Sequence, residues 1–296
     1  MNRPPATAAP PDRRYLLERV GDAAVVQVYA DGFGALSINE KRLVWHLYQA
    51  ALAGRDIFYD QRYAHGLAMR DILEQILIHS DRVDRATLDK IHRYAKLFWI
   101  HSGPYNNLTA RKFALGCTPE AFAGAVHAAR ESGATFQTAP GETLDRLLAR
   151  FRPMFFDLEF EPQVTTKTPP AGRDILAASA NNLYVGVTMA DLEGFSEEHP
   201  LNSRLVKADG ALTEEVYRVG GRHSGQIGAI VQHLQAAIPY ATESMAKALA
   251  ALIRFYQTGE DKDRQAYDIA WVHDKASPVD TINGFVEVYL DARSMK

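Results

Sequence analysis

The sequence predicts an α+β protein that is mostly helical, with a small β-barrel or mixed sheet in its middle. Apolar residues recur every three to four positions before residue 155 and again after residue 220, which is the spacing of one helix face. Between these parts, residues 155–168 and 203–218 are rich in aromatic and β-branched residues, which favour strands. Strands and helices do not alternate regularly along the chain, so a parallel α/β sheet is not indicated.

The first part of the chain is expected to contain a short strand and then helices. Residues 23–30 are rich in Val and Tyr and are followed by Asp31-Gly32, a pattern typical of a strand and a turn. Ser37 and Glu40 have the spacing of a capping box. Helical periodicity follows in three segments, which are residues 38–52, 60–79 and 86–102.

Two further helices are predicted before the middle of the chain. Thr118 followed by Pro119 is a favoured helix start, and Gly133 marks the end of that helix. The next helix, over residues 141–151, is entered at Thr143.

The middle section changes character. Residues 155–168 alternate in polarity and predict strands, whereas the prolines and glycine of residues 169–172 interrupt them. Residues 182–188 predict a short extended segment, and residues 190–195 a short helix. Asp209-Gly210 separates two strand-like runs, which indicates a hairpin over residues 203–218. Helical periodicity then returns over residues 226–237, 243–258 and 261–271.

Composition excludes several classes of protein. The net charge of −3 does not favour binding to nucleic acid or to an anionic membrane. No run approaches the roughly 18 apolar residues of a membrane span, and the one cysteine, Cys117, allows no internal disulfide. Residues 1–14 contain four prolines and are predicted to be a disordered leader. A cytoplasmic and a periplasmic location both remain open.

Motifs for known chemistries are absent from these 296 residues. No two of the ten histidines are three, four or five positions apart, so no helix presents a histidine pair to one metal ion. Gly32 and Gly34 lack the third glycine of a dinucleotide loop, and residues 220–225 lack the Lys-Ser/Thr end of a phosphate loop. The residues alone therefore predict no metal ligand and no catalytic residue.

Several short segments, taken together and in this order, resemble the bacterial branch of the dipeptidyl peptidase III family. They are residues 53–61 (AGRDIFYDQ), 96–99 (KLFW), 103–107 (GPYNN), 181–184 (NNLY), 201–205 (LNSRL), 215–218 (EVYR), 273–275 (HDK) and 283–291 (NGFVEVYLD).

The resemblance implies a two-lobed zinc peptidase that removes dipeptides from the N-termini of short peptides. In this family two histidines of an HExxGH-type motif and a later glutamate hold the zinc, and the motif glutamate acts as general base. No such motif occurs in this sequence. The resemblance therefore implies an N-terminal portion: a leader over 1–14, a lower substrate-cleft lobe over 15–258, and the start of an upper helical lobe over 259–296. We expect the chain alone to bind no zinc and to be inactive without a C-terminal catalytic portion.

Two substrate-binding residues follow from the resemblance. The family holds the free ammonium group of the peptide with an acidic residue four places before the Gly of its Gly-Phe pair, which here is Asp280. Animal and fungal members have Glu at this place and an aromatic residue two places later, where this chain has Ile282. Asn283 is a second polar candidate. Asp280 is also the right type of residue to cap a following helix, and one residue can do both.

Other interpretations remain open at this stage. A non-catalytic peptide-binding or scaffolding protein would keep the lobe without the metal chemistry. A complete enzyme of unrelated chemistry, such as one that uses a nucleotide, is a third possibility, although the absence of phosphate loops argues against it. If the chain is a lobe without its partner, we expect residues 279–290 to pack poorly or to mediate self-association, since an apolar face would be left uncovered.

Overall fold

A computed structural model describes residues 13–285 and 288–296, which form two compact units. In the first unit, strands β1 (Leu16–Val20) and β2 (Ala23–Val26) form an antiparallel hairpin, and a 3-10 turn follows at Asp31–Ala35. β2 lies within the predicted strand, whereas β1 was not predicted. The proposed leader falls outside the described residues except for Arg13 and Arg14.

The second unit spans residues Leu36–Lys296. Its elements are, in chain order, α1 (Ile38–Arg62), α2 (Gly66–Ile78), α3 (Arg85–His101), α4 (Pro119–Glu131), α5 (Leu144–Phe156), β3 (Tyr184–Val185), β4 (Ser203–Ala208), β5 (Ala211–Val216), α6 (Ser224–Ala237), α7 (Glu243–Thr258) and α8 (Asp261–His273). Short 3-10 turns lie at Ala190–Leu192 and Ile238–Tyr240. The prediction of a mostly helical α+β protein is confirmed. The division between residues 258 and 259 stays a prediction.

Local capping signals predict the helix starts correctly. The hydroxyl of Ser37 accepts a hydrogen bond from the Glu40 amide, and the Glu40 carboxylate accepts one from the Ser37 amide at 2.6 Å. The side chains of Thr118 and Thr143 likewise cap α4 and α5. These caps depend only on residues within one turn, so their sequence spacing is sufficient to predict them.

The helix predicted over residues 60–79 contains α2 (Gly66–Ile78), but the prediction missed the break between α1 and α2. Tyr63 has extended backbone (φ −158°, ψ 125°) and is fully buried. Gly66 then allows α2 to start close to α1, since a Cβ at this residue would lie 3.1 Å from the carbonyl oxygen of Tyr59. Burial of the Tyr63 side chain outweighs the helical periodicity here.

The strands predicted over residues 155–168 are wrong. Phe155 belongs to α5 and is fully buried, with its ring 4.9 Å from that of Phe122 on α4. The backbone of Glu161 has a positive φ of 48°, which interrupts any extended run. Only an isolated bridge between Arg111 and Gln163 is formed in this region. The aromatic residues that suggested a strand instead fill the space between helices.

The larger described sheet has three strands in the order β3-β4-β5. β3 pairs parallel with β4, and β4 pairs antiparallel with β5 through the predicted hairpin turn at Asp209-Gly210. Both turn residues have positive φ, as a tight two-residue hairpin requires. Neither sheet closes into a barrel over residues 13–285 and 288–296. The mixed-sheet alternative is therefore the one that the structure supports.

Two hydrophobic cores hold the second unit together. The larger core joins α2, α3, α4 and α5 to the three-stranded sheet. The other core lies among α1, α6, α7 and α8 and includes Phe285. No helix in the described part of the chain is long and apolar enough to cross a membrane.

Candidate functional site

A cavity of about 240 Å³ lies beside the second core. One wall consists of apolar side chains of α1 and α6, including Leu47, Ile57 and Leu234. The opposite wall is the irregular segment of residues 281–285, called the 281–285 segment below. None of the described residues that line the cavity is charged, so it suits an uncharged apolar group.

Small residues of α1 keep this cavity open. Ala50, Ala51 and Gly54 lie along the lining. A Cβ at Gly54 would lie 3.3 Å from Cδ1 of Ile230 on α6, a contact closer than side chains normally make. Larger residues at these positions would fill the space between the two helices.

Gln61 holds the 281–285 segment from the end of α1. Its Nε2 donates a hydrogen bond to the carbonyl oxygen of Phe285 at 3.2 Å, and the backbone carbonyl oxygen of Gln61 accepts one from the Asn182 backbone amide at 2.9 Å. The side chain is buried and lines the cavity. This hydrogen bond between residues 224 positions apart holds the 281–285 segment against the end of α1.

Aromatic packing anchors the same end of the segment. The Phe285 ring makes edge contacts with Tyr217 at 5.4 Å and Tyr256 at 5.5 Å between ring centroids. All three side chains are buried. Phe285 is therefore fixed through its carbonyl and through its ring.

Asn283, predicted as a substrate-binding residue, lines the cavity. Its Nδ2 lies 3.1 Å from the hydroxyl oxygen of Thr281 and 3.3 Å from that of Tyr267 on α8. Burial raises the pKa of Tyr267, so this phenol stays protonated at neutral pH. Asn283 is held in a defined position next to the cavity.

Asp280, the other predicted residue, does not line the cavity. Its Oδ1 accepts hydrogen bonds of 2.7 Å from the indole of Trp271 on α8 and from the Thr281 amide. The side chain is exposed at the start of the 281–285 segment. No helix follows over residues 281–285 or 288–290, so the alternative role of Asp280 as a helix cap is wrong for these residues.

The backbone of the 281–285 segment presents unpaired groups. Within residues 13–285 and 288–296, no acceptor is found for the N–H groups of Ile282, Asn283 and Gly284. Exposure alternates from residue 281 to residue 285, and Ile282 is 90% exposed. Alternation of this kind is typical of an extended chain with one buried side, and unpaired groups along such a chain can pair with another strand.

A network of charged side chains links the end of α1 to strand β5. Arg222 bridges Asp60 of α1, at 2.6 Å, and Glu215 of β5, at 3.1 Å. Arg204 joins the same Glu215 to the side chain of Asn182. Burial on its own would raise the pKa of Asp60, but contacts with His223 and Arg222 outweigh it and hold the pKa below its usual value. The network fixes the end of α1, and therefore Gln61, against the sheet.

Sequence reasoning assigned no role to Gln61 or to this network. The sequence did contain a signal for both, because Asp60, Gln61, Asn182, Arg204 and Glu215 all lie in segments that carry the family resemblance. The missing information was which of these segments meet in space.

The predicted apolar face at residues 279–290 is only partly covered. Phe285 and Leu290 are buried, Val288 and Tyr289 are exposed, and residues 286–287 lie outside the described residues. Poor packing or self-association there stays a prediction.

No group of three or more His, Cys, Asp or Glu side chains converges within the described part of the chain. These residues do not fit the three-ligand zinc site that the family resemblance implies for the full-length enzyme. No step of a zinc-dependent reaction is therefore assigned to them.

Comparison with known proteins gives a consistent result. Residues 165–296 match the model of peptidase family M49, whereas no curated protein matches the sequence. The fold is similar to that of DPP III from Caldithrix abyssi (18% identity, TM-score 0.55), over 89% of this chain and 38% of that chain. It is also similar to dipeptidyl-peptidase III from Corallococcus sp. strain EGB (18% identity, TM-score 0.52), over 85% of this chain and 36% of that one.

The chain thus spans less than two fifths of the length of these two structures. At this level of identity, the structural likeness shows a shared fold. The family match over residues 165–296 adds a sequence relationship, and it includes the 281–285 segment. The predicted resemblance to the dipeptidyl peptidase III family is confirmed by these two findings: residues 165–296 match the model of peptidase family M49, and the fold is similar to that of two dipeptidyl peptidase III structures.

Proposed function

We propose that this chain forms the substrate-binding part of a zinc-dependent dipeptidyl peptidase that removes dipeptides from peptide N-termini. The observation that carries the proposal is the row of unpaired N–H groups at Ile282–Gly284 beside an uncharged cavity. An extended peptide can pair through its main chain with the N–H groups that point to one side, which in an extended chain are those of alternate residues such as Ile282 and Gly284, while alternate side chains of the peptide enter a neighbouring pocket. The match of residues 165–296 to peptidase family M49 supports a peptide as the ligand.

The bound peptide would lie along the 281–285 segment. Its carbonyl oxygens accept hydrogen bonds from the segment, and one uncharged side chain occupies the cavity between α1 and α6. Asn283 has both an amide donor and a carbonyl acceptor near this path, which suits a peptide bond. The arrangement is selective for chain direction and for side-chain polarity.

Asp280 is proposed to bind the free ammonium group of the peptide. The carboxylate stands at the start of the segment and is exposed, so a cation can reach it. Its hydrogen bond from Trp271 fixes the orientation of Oδ1 and leaves Oδ2 as the second acceptor. Charge-assisted hydrogen bonds of this type contribute about 1.5–3 kcal/mol, which corresponds to roughly 10- to 150-fold in affinity.

Peptide hydrolysis is proposed for the complete enzyme only. The family chemistry needs a zinc ion, and the described residues provide no three-ligand site for one. The proposed arrangement is a lower lobe over residues 15–258 and the start of an upper lobe over 259–296. A C-terminal catalytic portion is the proposed partner, and we expect no turnover from this chain alone.

The test is the affinity of the chain for a fluorescent tetrapeptide with either a free or an acetylated N-terminus. Free-terminus peptide should bind at least 10-fold more tightly, and Asp280→Asn should remove that difference. Asn283→Ala should weaken both peptides alike. Asp81→Asn, which changes an exposed carboxylate that does not line the cavity, is the matched control. Equal binding of both peptides to the unaltered chain would refute the role of Asp280, and no binding of either would refute the proposed function.

A non-catalytic peptide-binding or scaffolding protein is the second candidate. The described residues favour it because they provide the 281–285 segment and the neighbouring cavity without a three-ligand metal site. Hydrolysis of the same tetrapeptide, followed by mass spectrometry with zinc present, separates the two. Release of an N-terminal dipeptide by this chain together with the proposed C-terminal catalytic portion supports the peptidase, and binding without cleavage by that same assembly supports the second candidate.

A further inference from the structure

Two histidines meet across the helix pair that forms one wall of the cavity. His46 lies on α1 and His233 on α6, and their Nδ1 atoms are 3.5 Å apart. They are 187 positions apart in sequence, which is why histidine spacing gave no sign of them. Each is followed directly by a residue that lines the cavity, Leu47 or Leu234.

The distance between the two nitrogens is long for a hydrogen bond between neutral rings, because N–H donors usually lie about 2.7–3.2 Å from their acceptors. It is close to the separation that one metal ion imposes. Two imidazole nitrogens bound at about 2.0–2.1 Å to a tetrahedral ion are held roughly 3.3 Å apart. A small rotation of the two rings is sufficient to aim both lone pairs at such an ion.

Aromatic rings pack around both histidines and limit the orientations of the two imidazoles. His46 stacks on Tyr240, with ring planes 10° apart, and both histidines contact the edge of Trp45. No third His, Cys, Asp or Glu joins the pair among the described residues, so water would complete the coordination.

We propose that His46 and His233 form a two-histidine site for a divalent transition metal, such as Cu²⁺, Ni²⁺ or Zn²⁺, that links α1 to α6. Imidazole ligands suit these ions, whereas Mg²⁺ and Ca²⁺ require oxygen ligands. The site is separate from the zinc centre of the family, since it has two protein ligands and no carboxylate. It does not depend on the proposed peptidase function.

Trp45 provides a direct readout. Its ring centroid lies 4.8 Å from that of His46 and 5.8 Å from that of His233, and bound Cu²⁺ or Ni²⁺ quenches an indole at contact distance. The experiment titrates the whole chain with Cu²⁺ and then Ni²⁺ at pH 7.5 and follows tryptophan fluorescence. Thermal unfolding is measured in parallel. Mg²⁺ serves as the control ion.

We expect saturable quenching that EDTA reverses and Mg²⁺ does not cause. At metal concentrations 100-fold above the dissociation constant, the unfolding midpoint of this 296-residue chain should rise by about 4–5 °C. His46→Gln and His233→Gln should each abolish both effects, and Trp45→Phe should abolish the quenching but keep the midpoint shift. His92→Gln, an exposed histidine on α3, should change neither.

Three results would overturn the proposal. The first is the absence of saturable quenching and of a midpoint shift with either ion, which would leave the two histidines as a packing contact. The second is a response that survives His46→Gln or His233→Gln, since one imidazole would then be enough. The third is an equal response to Mg²⁺, which would indicate a site of oxygen ligands elsewhere.

Discussion

Replacing Gln61 by Leu tests whether one buried amide positions the proposed peptide-binding segment. The substitution removes the 3.2 Å hydrogen bond to the Phe285 carbonyl and leaves that acceptor without its donor. An unsatisfied buried acceptor costs about 1–3 kcal/mol, and leucine fills most of the same space. We therefore expect the free energy of unfolding to fall by about 1–3 kcal/mol.

Peptide affinity should fall together with stability. If the 281–285 segment leaves its bound position for part of the time, the apparent affinity decreases in proportion to the population that remains competent. A change of 1–3 kcal/mol sets an upper limit of roughly 5- to 150-fold on this loss. Gln61→Glu should behave similarly, because a carboxylate keeps the length of the side chain but cannot donate to the carbonyl.

Urea unfolding at 25 °C and the fluorescent tetrapeptide measure the two quantities. Gln235→Leu, at an exposed position on α6, makes the same chemical change without breaking a described contact. Unfolding free energies within about 0.5 kcal/mol of this control would refute the importance of the hydrogen bond. A loss of stability with unchanged peptide affinity would show that Gln61 supports the fold without positioning the segment.

Two further predictions concern stability. Gly221→Ala should destabilise the protein by about 1–3 kcal/mol, because the new Cβ would lie 2.4 Å from the Val216 carbonyl oxygen. Gly228→Ala in α6, where nothing lies within 4 Å of the new Cβ, should stabilise the protein by about 0.5–1 kcal/mol. Equal urea midpoints for the two variants would contradict this prediction. Burial, and after it the charge of Arg62, lowers the pKa of His101 below 6.5. The unfolded chain therefore binds the proton first, and stability should fall as pH decreases below about 6.5. His101→Gln should reduce the change of the urea midpoint between pH 7.5 and pH 5, and an unchanged pH dependence would count against this role of His101.

Local features of this protein were predictable from short stretches of sequence. The capping box at Ser37 and Glu40, the threonine caps of α4 and α5 and the Asp209-Gly210 hairpin are formed by residues a few positions apart. Their energies depend on contacts that the local chain provides by itself. Asn283, chosen through the family resemblance, lines the cavity, and its role in substrate binding stays a prediction.

Other predictions failed where tertiary contacts outweigh local preference. The aromatic run that begins at Phe155 has strand-like composition, yet burial of that ring against Phe122 keeps it in a helix. Tyr63 breaks a helical pattern because its side chain is buried in the larger core. Each side chain gains more from removing apolar surface from water than the backbone loses by departing from its local preference.

The sequence by itself determined the class of fold, most helix starts and the resemblance to the dipeptidyl peptidase III family. Only the tertiary structure decided which distant residues meet: Gln61 with Phe285, Arg222 with Asp60, and His46 with His233. The cavity, the position of the 281–285 segment and the histidine pair all depend on these long-range contacts. Contacts between residues more than 150 positions apart depend on how the helices pack, which periodicity within a single helix does not specify.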